Sequence, residues 1–422
     1  MKTVLMLSRF FPPAFDVGGK RAYRFARYLG QHGWRAVVLT ERVPTDRRTD
    51  DTPVDLPPEV EVVREYLPRF GRFYGNAGTD GTNPTPVAAS SGRASLLRWP
   101  IASDLWLAPR FAWLVDSLAE RYRPDAVFAS SSPYTALVFG AIYKAMTGTP
   151  LCLDLRDPWT LNFLQQGKPA WAQRVDTFAE RRLFDYADQV TVTCASARDA
   201  YRALYPHLPA DKIQCIYNSF DPAQRPEPAP VEANSPLTLV HFGNCYGARS
   251  LAPILQAIAS LRARGALAAG QVRLRNFGRL SVADLELAAT LGVADALEAA
   301  PVVPYAEGIA QLAAADLQIL LGYGEHTLFV PAKLYDYLLA GAPILCVTPE
   351  SELSAMVRAT GRGVAAELHE THAIERALLD ALDRRAAPLR APHASDAAAQ
   401  YSSPETARQL ATLLDALVSH RP

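Results

Sequence analysis

Lys333 opens the stretch KLYDYLLAG, with Asp336 three residues on and Pro331 just ahead of it. A proline at the start and Gly341 at the end mark a helix, and the apolar run PILCV after it reads as a strand. A cation in the first turn opposes the helix macrodipole by ~0.3–1 kcal/mol, so either the position is indifferent to charge or an anion comes to meet it. Arg249, in FGNCYGARS, takes the same unfavourable place at another helix start, after Gly243, Gly247 and the amide of Asn244. One such placement is noise. Two in one half of the chain suggest a shared anion, and arginine can hold phosphate oxygens through paired hydrogen bonds. A solvated surface arginine is the alternative reading.

Two further stretches carry candidate chemistry. In FFPPAFDVGGKRAYRF, Gly18 and Gly19 lie between a strand and a helix, where a backbone can approach a phosphate. The pair is not a G-x-G-x-x-G fingerprint, and a convenient loop explains it equally well. In LCLDLRDPWT a strand ends in Arg156-Asp157-Pro158-Trp159. Asp157 is placed to contact a substrate hydroxyl, or else forms a local ion pair with Arg156. The chain has no Asp-x-Asp, no H-E-x-x-H and no clustered His or Cys, so a metal site is not expected. It also lacks G-x-S-x-G and a Walker lysine motif.

The elements that must position these residues alternate between strand-like and helix-like through most of the chain, which predicts parallel α/β architecture. TVLMLS, RAVVLT, EVEVVRE, DAVFASS, PLCLDL and QVTVTC read as strands of a first domain, and LTLVHFG, QVRLRNF, DLQILLG and PILCVT as strands of a second. Between them DPAQRPEPAPVEANSP, Asp221–Pro236, is proline-rich and without apolar period, a linker. The expected division is 1–222 and 237–400, two Rossmann-like domains with ligand at the carboxyl ends of the strands, and a capped terminal helix over 401–422.

Composition sets limits. With 49% hydrophobic and 20% charged residues the chain is an ordinary globular protein, and 43 basic against 43 acidic residues argue against a nucleic-acid binder working through bulk charge. Cys152, Cys194, Cys215, Cys245 and Cys346 are scattered, mostly in apolar runs, as buried thiols of a cytoplasmic protein would be. MKTVLMLSRFF reads as a first strand, and no stretch is long and apolar enough for a transmembrane helix. Residues 70–93 read as a loop rich in Gly, Thr, Ser and Pro. The segment 96–113 that follows interleaves Trp99, Trp106 and Trp113 with Arg98 and Arg110. It suits an acceptor-binding or membrane-touching surface, or simply aromatic packing beneath the loop.

SSSPYTALVFGAI, LDLRDPWT, AERRLFDYADQVTVTCAS, IYNSFDP, VHFGNCYGARS and PAKLYDYLLAGAPIL occur here in the order they take in one group of bacterial enzymes. The chain resembles, over nearly its whole length, the retaining glycosyltransferases of family 4 (group 1) with the GT-B fold. The resemblance implies two Rossmann-like domains facing across a deep cleft. It implies transfer of a sugar, with retention, from a nucleotide diphosphate-sugar to a hydroxyl of a glycan or lipid-linked acceptor, in bacterial polysaccharide or glycoconjugate synthesis. No metal or other cofactor takes part, no nucleic acid is a partner, and the place of work is the cytoplasm, with peripheral contact at the inner membrane face left open. The terminal helix would pack back on the first domain. By the family's motifs Gly18 and Gly19 approach the donor phosphates, while Arg249 and Lys333 neutralise the diphosphate; Gly243 and Asn244, in the loop before Arg249, are further candidates for donor binding. Asp336 would hold the ribose, and Glu352 would lie near the nucleotide.

Two departures accompany this. The acidic residue expected eight positions before Asp336 is Leu328, with Glu325 out of register, and the serines of ASSSP replace a histidine often found at an N-domain strand end. In the retaining mechanism inferred for this fold the departing phosphate can take the acceptor's proton, so that histidine is dispensable. A GT-B-like nucleotide-sugar epimerase would need cleft carboxylates, for which Asp157 and Asp16 are the candidates. A non-catalytic GT-B subunit would explain Leu328 but not the retention of both cations.

Overall fold

The structure, a computed structural model, describes residues 1–13, 18–41, 54–64, 101, 105–162, 168–227, 236–245, 249–324, 328–386 and 396–419. The loop expected at 70–93, Asp16, Gly247, Glu325 and half of the linker (228–235) lie outside the described residues. Two compact units are present, one formed by Met1–Ser219 with Ser403–Pro422 and the other by Phe220–Ser402.

The first unit holds β1 (Lys2–Ser8), β2 (Trp34–Leu39), β3 (Glu61–Val63), β4 (Ala126–Ser131), β5 (Leu151–Leu155), β6 (Gln189–Val192) and β7 (Ile213–Cys215). They form one sheet in the order 3-2-1-4-5-6-7, and every pairing is parallel. Its helices are α1 (Gly19–Leu29), α2 (Ala108–Tyr122), α3 (Thr135–Thr147), α4 (Ala170–Tyr186) and α5 (Ala195–Leu204). The second unit holds β8 (Leu237–Phe242), β9 (Val272–Phe277), β10 (Leu297–Ala300), β11 (Leu317–Leu321), β12 (Ile344–Val347) and β13 (Gly363–Ala366). Its sheet is again all parallel, in the order 10-9-8-11-12-13. The helices are α6 (Ala252–Ala263), α7 (Val282–Thr290), α8 (Tyr305–Ala314), α9 (Lys333–Ala340), α10 (Glu352–Ala359) and α11 (Thr371–Ala386). The last helix, α12 (Ser403–Ser419), places Leu410, Ala411 and Leu414 in the first unit's core beside Phe25 and Leu29 of α1.

This is the expected α/β class with two Rossmann-like units. Inner strands such as β1 and β5 are buried at nearly every position because helices cover both faces of a parallel sheet. The sequence reading falls short at the sheet edges. Of EVEVVRE only Glu61–Val63 pairs, and β7, β10 and β13 were not anticipated. All four are edge strands of three or four residues, too short to show a period. Among the described residues no helix is long and apolar enough to cross a membrane.

Candidate functional site

Strands β8 and β9 both end in Phe-Gly, and they pair in register, Phe242 beside Phe277. Gly243 (φ +145) and Gly278 (φ +140) then turn the chain through conformations that a side chain would strain. A Cβ on Gly278 would collide with the Gly243 carbonyl, and one on Gly243 would overlap the Lys333 ammonium. The two turns are stitched together by Gly243 N–H to Phe277 O (2.8 Å), Cys245 N–H to Arg279 O (2.8 Å) and Arg279 N–H to Asn244 Oδ1 (2.9 Å). Asn244 therefore spends its amide oxygen on the loop itself.

Lys333 reaches this place because α9 is pinned. Tyr337, one turn after Lys333 and on the same helix face, accepts from Phe242 N–H (3.0 Å) and donates to Ile319 O (2.9 Å). Gln318 holds the helix's far end through the carbonyls of Tyr337 (3.1 Å) and Ala342 (2.6 Å). Gly341 closes the helix in the left-handed conformation (φ +84), and no side chain caps its first turn. Arg249, buried, stacks its guanidinium 3.5 Å from the Tyr323 ring centre.

Arg249, Lys333, Gly243, Asn244 and Gly278, with Phe242, Phe277, Val302 and Val303, line a pocket of about 330 Å³. Burial, reinforced by the neighbouring Arg249 charge, lowers the Lys333 pKa to about 8. Among the described residues no carboxylate pairs with this lysine. Beneath the loops, burial and then the Lys333 charge pull His241 down to about 3, so it is neutral. Asn276 gives its NH2 to Gly278 O (2.9 Å), which leaves Oδ1 to accept from His241 Nδ1 (2.6 Å) and fixes the tautomer. A pocket with two cations, glycine-freed backbone and a neutral floor is suited to a compact polyanion bound beside an apolar wall.

The other anticipated residues lie elsewhere. Asp336 and Glu352 are not among the lining residues. Asp336 is half-buried and accepts from Tyr305 OH (2.6 Å), while Glu352 is the first residue of α10, half-buried. Gly18, Gly19 and Asp157 belong to the first unit. A Cβ on Gly18 would overlap the Arg156 guanidinium, which donates to the carbonyls of Ser131 and Ser132. Arg156 is thus bound to backbone, and among the described residues it forms no ion pair with Asp157. The Asp157 carboxylate is exposed, yet protein crowding around it raises its pKa, with Arg156 pulling the other way.

The loop carrying Asp157 is held from below by Glu180, which the sequence did not single out. This buried carboxylate accepts from Thr160 N–H (2.9 Å), Thr160 Oγ1 (2.6 Å), Tyr201 OH (2.9 Å) and Tyr205 OH (2.7 Å). Trp159 stacks on Tyr134 at 4.6 Å. Gly278, His241, Asn276, Tyr337 and the Val302-Val303 pair were missed as well. The repeated Phe-Gly strand ending was the signal for Gly278; the others carry none.

Residues 18–219 match the family model described as glycosyl transferase 4-like domain. The sequence matches no curated protein. In fold the chain is similar to sucrose-phosphate synthase from Thermosynechococcus elongatus, at 14% identity and a TM-score of 0.56, over 99% of this chain and 97% of that one. It is similar to Anabaena HepE in complex with UDP, at 15% identity and a TM-score of 0.53, over 99% and 98%. A UDP-forming α,α-trehalose-phosphate synthase from Burkholderia vietnamiensis aligns over 100% of both chains at 12% identity and a TM-score of 0.58. At these identities the likeness is one of fold, and it extends through both units.

Proposed function

Since residues 18–219 belong to the glycosyl transferase 4-like family and the whole chain takes the two-domain GT-B fold, we propose that it moves a sugar from a nucleotide diphosphate-sugar to an acceptor hydroxyl with retention. The observation that carries this is the convergence of Arg249 and Lys333 on the Gly243 turn. As the bond from the sugar's anomeric carbon to the diphosphate oxygen breaks, negative charge grows on the leaving group. Fixed cations in a partly dry pocket stabilise that charge without reorganising. The acceptor oxygen bonds to the anomeric carbon, and its proton passes to the departing phosphate. Asp336, already oriented by Tyr305, would take the ribose hydroxyls, with Glu352 nearby, and Asp157 the acceptor or the reacting sugar. Gly18 and Gly19 would be further contacts for the donor phosphates. The acceptor would be a glycan or a lipid-linked saccharide of bacterial polysaccharide or glycoconjugate synthesis, met in the cytoplasm or at a membrane face.

The test is release of nucleoside diphosphate from a panel of UDP-, GDP-, dTDP- and ADP-sugars, with and without acceptor extract, in EDTA and in magnesium. Acceptor-dependent release that survives EDTA is expected, because Arg249 and Lys333 take the charge-neutralising role. An EDTA-abolished, magnesium-restored activity would refute the cation-only account. Isomerisation of the sugar without release would identify an epimerase, and binding with neither reaction a non-catalytic subunit.

A further inference from the structure

Helix α4 turns its two central acids inward. Asp176 pairs with Lys168 at 2.6 Å, and Glu180 is consumed by the Thr160 and tyrosine contacts. The outward face is left with Trp171 (56% exposed), Val175 (39%) and Phe178 (64%). At spacings of four and three these form one stripe along the helix. Exposed Arg174, Arg181 and Arg182 flank it, and the Arg182 guanidinium lies 5.4 Å from the Phe178 ring centre. The helix's one exposed acid, Asp185, sits in the last turn and is bonded to His207 at 2.8 Å.

Part of that pattern recurs in the same layer on α2, although Asp116 and Glu120 of that helix stay exposed. Trp106 and Trp113 (80% exposed) bracket exposed Arg110 at the start of α2, again at spacings of four and three. Phe111 of α2 stacks on Phe139 of α3 at 4.5 Å, α3 packs on α4, and Ile101 N–H donates to Asp176 of α4. Each of these helices runs back along a parallel sheet, so their amino ends gather at the carboxyl edge of the strands, the edge that carries Asp157.

We propose that this face seats the protein on an anionic lipid bilayer. Indole and phenyl rings suit the depth of lipid headgroups, and arginines suit the phosphates around them. A helix face that is apolar and cationic together, with its acids turned inward, has the charge pattern of a surface-binding helix against anionic lipid. Such seating would bring the Asp157 edge to a lipid-linked acceptor. It rests on the transferase reading only for that consequence, because the surface itself stands whatever the pocket of the second unit binds.

The experiment is co-sedimentation of the full chain with vesicles of phosphatidylcholine alone and of phosphatidylcholine mixed with phosphatidylglycerol. Binding to the mixed vesicles, weakening with salt, is expected. The Trp171→Ser, Phe178→Ser double variant and the Arg174→Glu, Arg181→Glu, Arg182→Glu triple variant should each lose about tenfold or more in apparent partition, since each surface-near cation contributes materially. These positions are exposed, so unchanged melting temperatures should accompany the loss. If a charge reversal unfolds the chain, Arg→Ser at the same three sites replaces it. Absence of wild-type binding at low salt, or binding that both variants retain, would overturn the proposal. So would self-association or nucleic-acid binding that these variants abolish while vesicles are ignored. Nucleoside diphosphate titration of the same variants reports separately on the second unit.

Discussion

Arg21 and Lys333 are both cations near the carboxyl edge of a parallel sheet, and the fold treats them in opposite ways. Arg21 is buried against Asp154 through bonds of 3.0 and 2.8 Å, with Ser130 (2.7 Å) and Thr191 (2.8 Å) satisfying the carboxylate and Tyr217 O (2.9 Å) taking a further guanidinium donor. Lys333 is packed beside a second cation and pairs with no carboxylate among the described residues. Charge answered from within the chain is structural. A lysine packed beside a second cation at a glycine-lined pocket, with no carboxylate to answer it among the described residues, is what the proposed diphosphate site requires. The contrast separates scaffold from site without reference to any relative.

Asp154→Ala should have the largest effect. It strands a buried guanidinium, and loss of one partner of a buried pair costs about 3–5 kcal/mol. Urea unfolding should show this fall, and replacing both partners together with Arg21→Met and Asp154→Leu should recover much of it. If Asp154→Ala were neutral, the network would not be the scaffold described.

Lys333→Met keeps the aliphatic stem and removes the charge. The free protein should be no less stable, whereas nucleoside diphosphate affinity should fall by about 1.5–3 kcal/mol, the scale of a hydrogen bond to a charged group. Calorimetric titration with UDP and uridine, or with whichever base binds, decides the matter: equal losses for both ligands would remove the phosphate role. Asp336→Ala should weaken nucleoside and nucleotide alike.

Asp157→Asn should leave donor affinity unchanged and slow turnover by about tenfold, or ~1.4 kcal/mol in the barrier. A lowered melting temperature with an unchanged rate would make the residue structural.

The smallest expected effect is on pH dependence. With its pKa lowered from 10.5 to about 8, folded Lys333 gives up its proton before the unfolded chain does. Between those values the unfolded state binds more protons, so this lysine's unfavourable contribution to stability fades as pH rises. The stability gap between wild type and Lys333→Met should therefore narrow from pH 8 upward. Diphosphate affinity, which needs the charged form, should fall about fourfold between pH 7 and pH 8.5 through this group, and the variant should lack that slope.

The sequence by itself determined the alternation of buried strands and amphipathic helices, the two-unit division, and Lys333 in the first turn of a helix where its charge is unwelcome; Arg249, expected at a helix start as well, lies in the loop three residues before α6. Those are local properties: apolar period, proline and glycine placement, and the macrodipole act within one or two turns of chain. Only the tertiary structure decided which loops meet. The register of β8 against β9 sets Gly278 against Gly243, and Tyr337 carries Lys333 to that turn. The same holds for the inward rotation of Asp176 and Glu180 that leaves arginines and aromatics outside on α4, and for the backbone carbonyls that take Arg156 from Asp157. The edge strands β7, β10 and β13 are illegible for a related reason. Three or four residues carry no period of their own, and become strands because a neighbouring strand offers unpaired N–H and C=O groups.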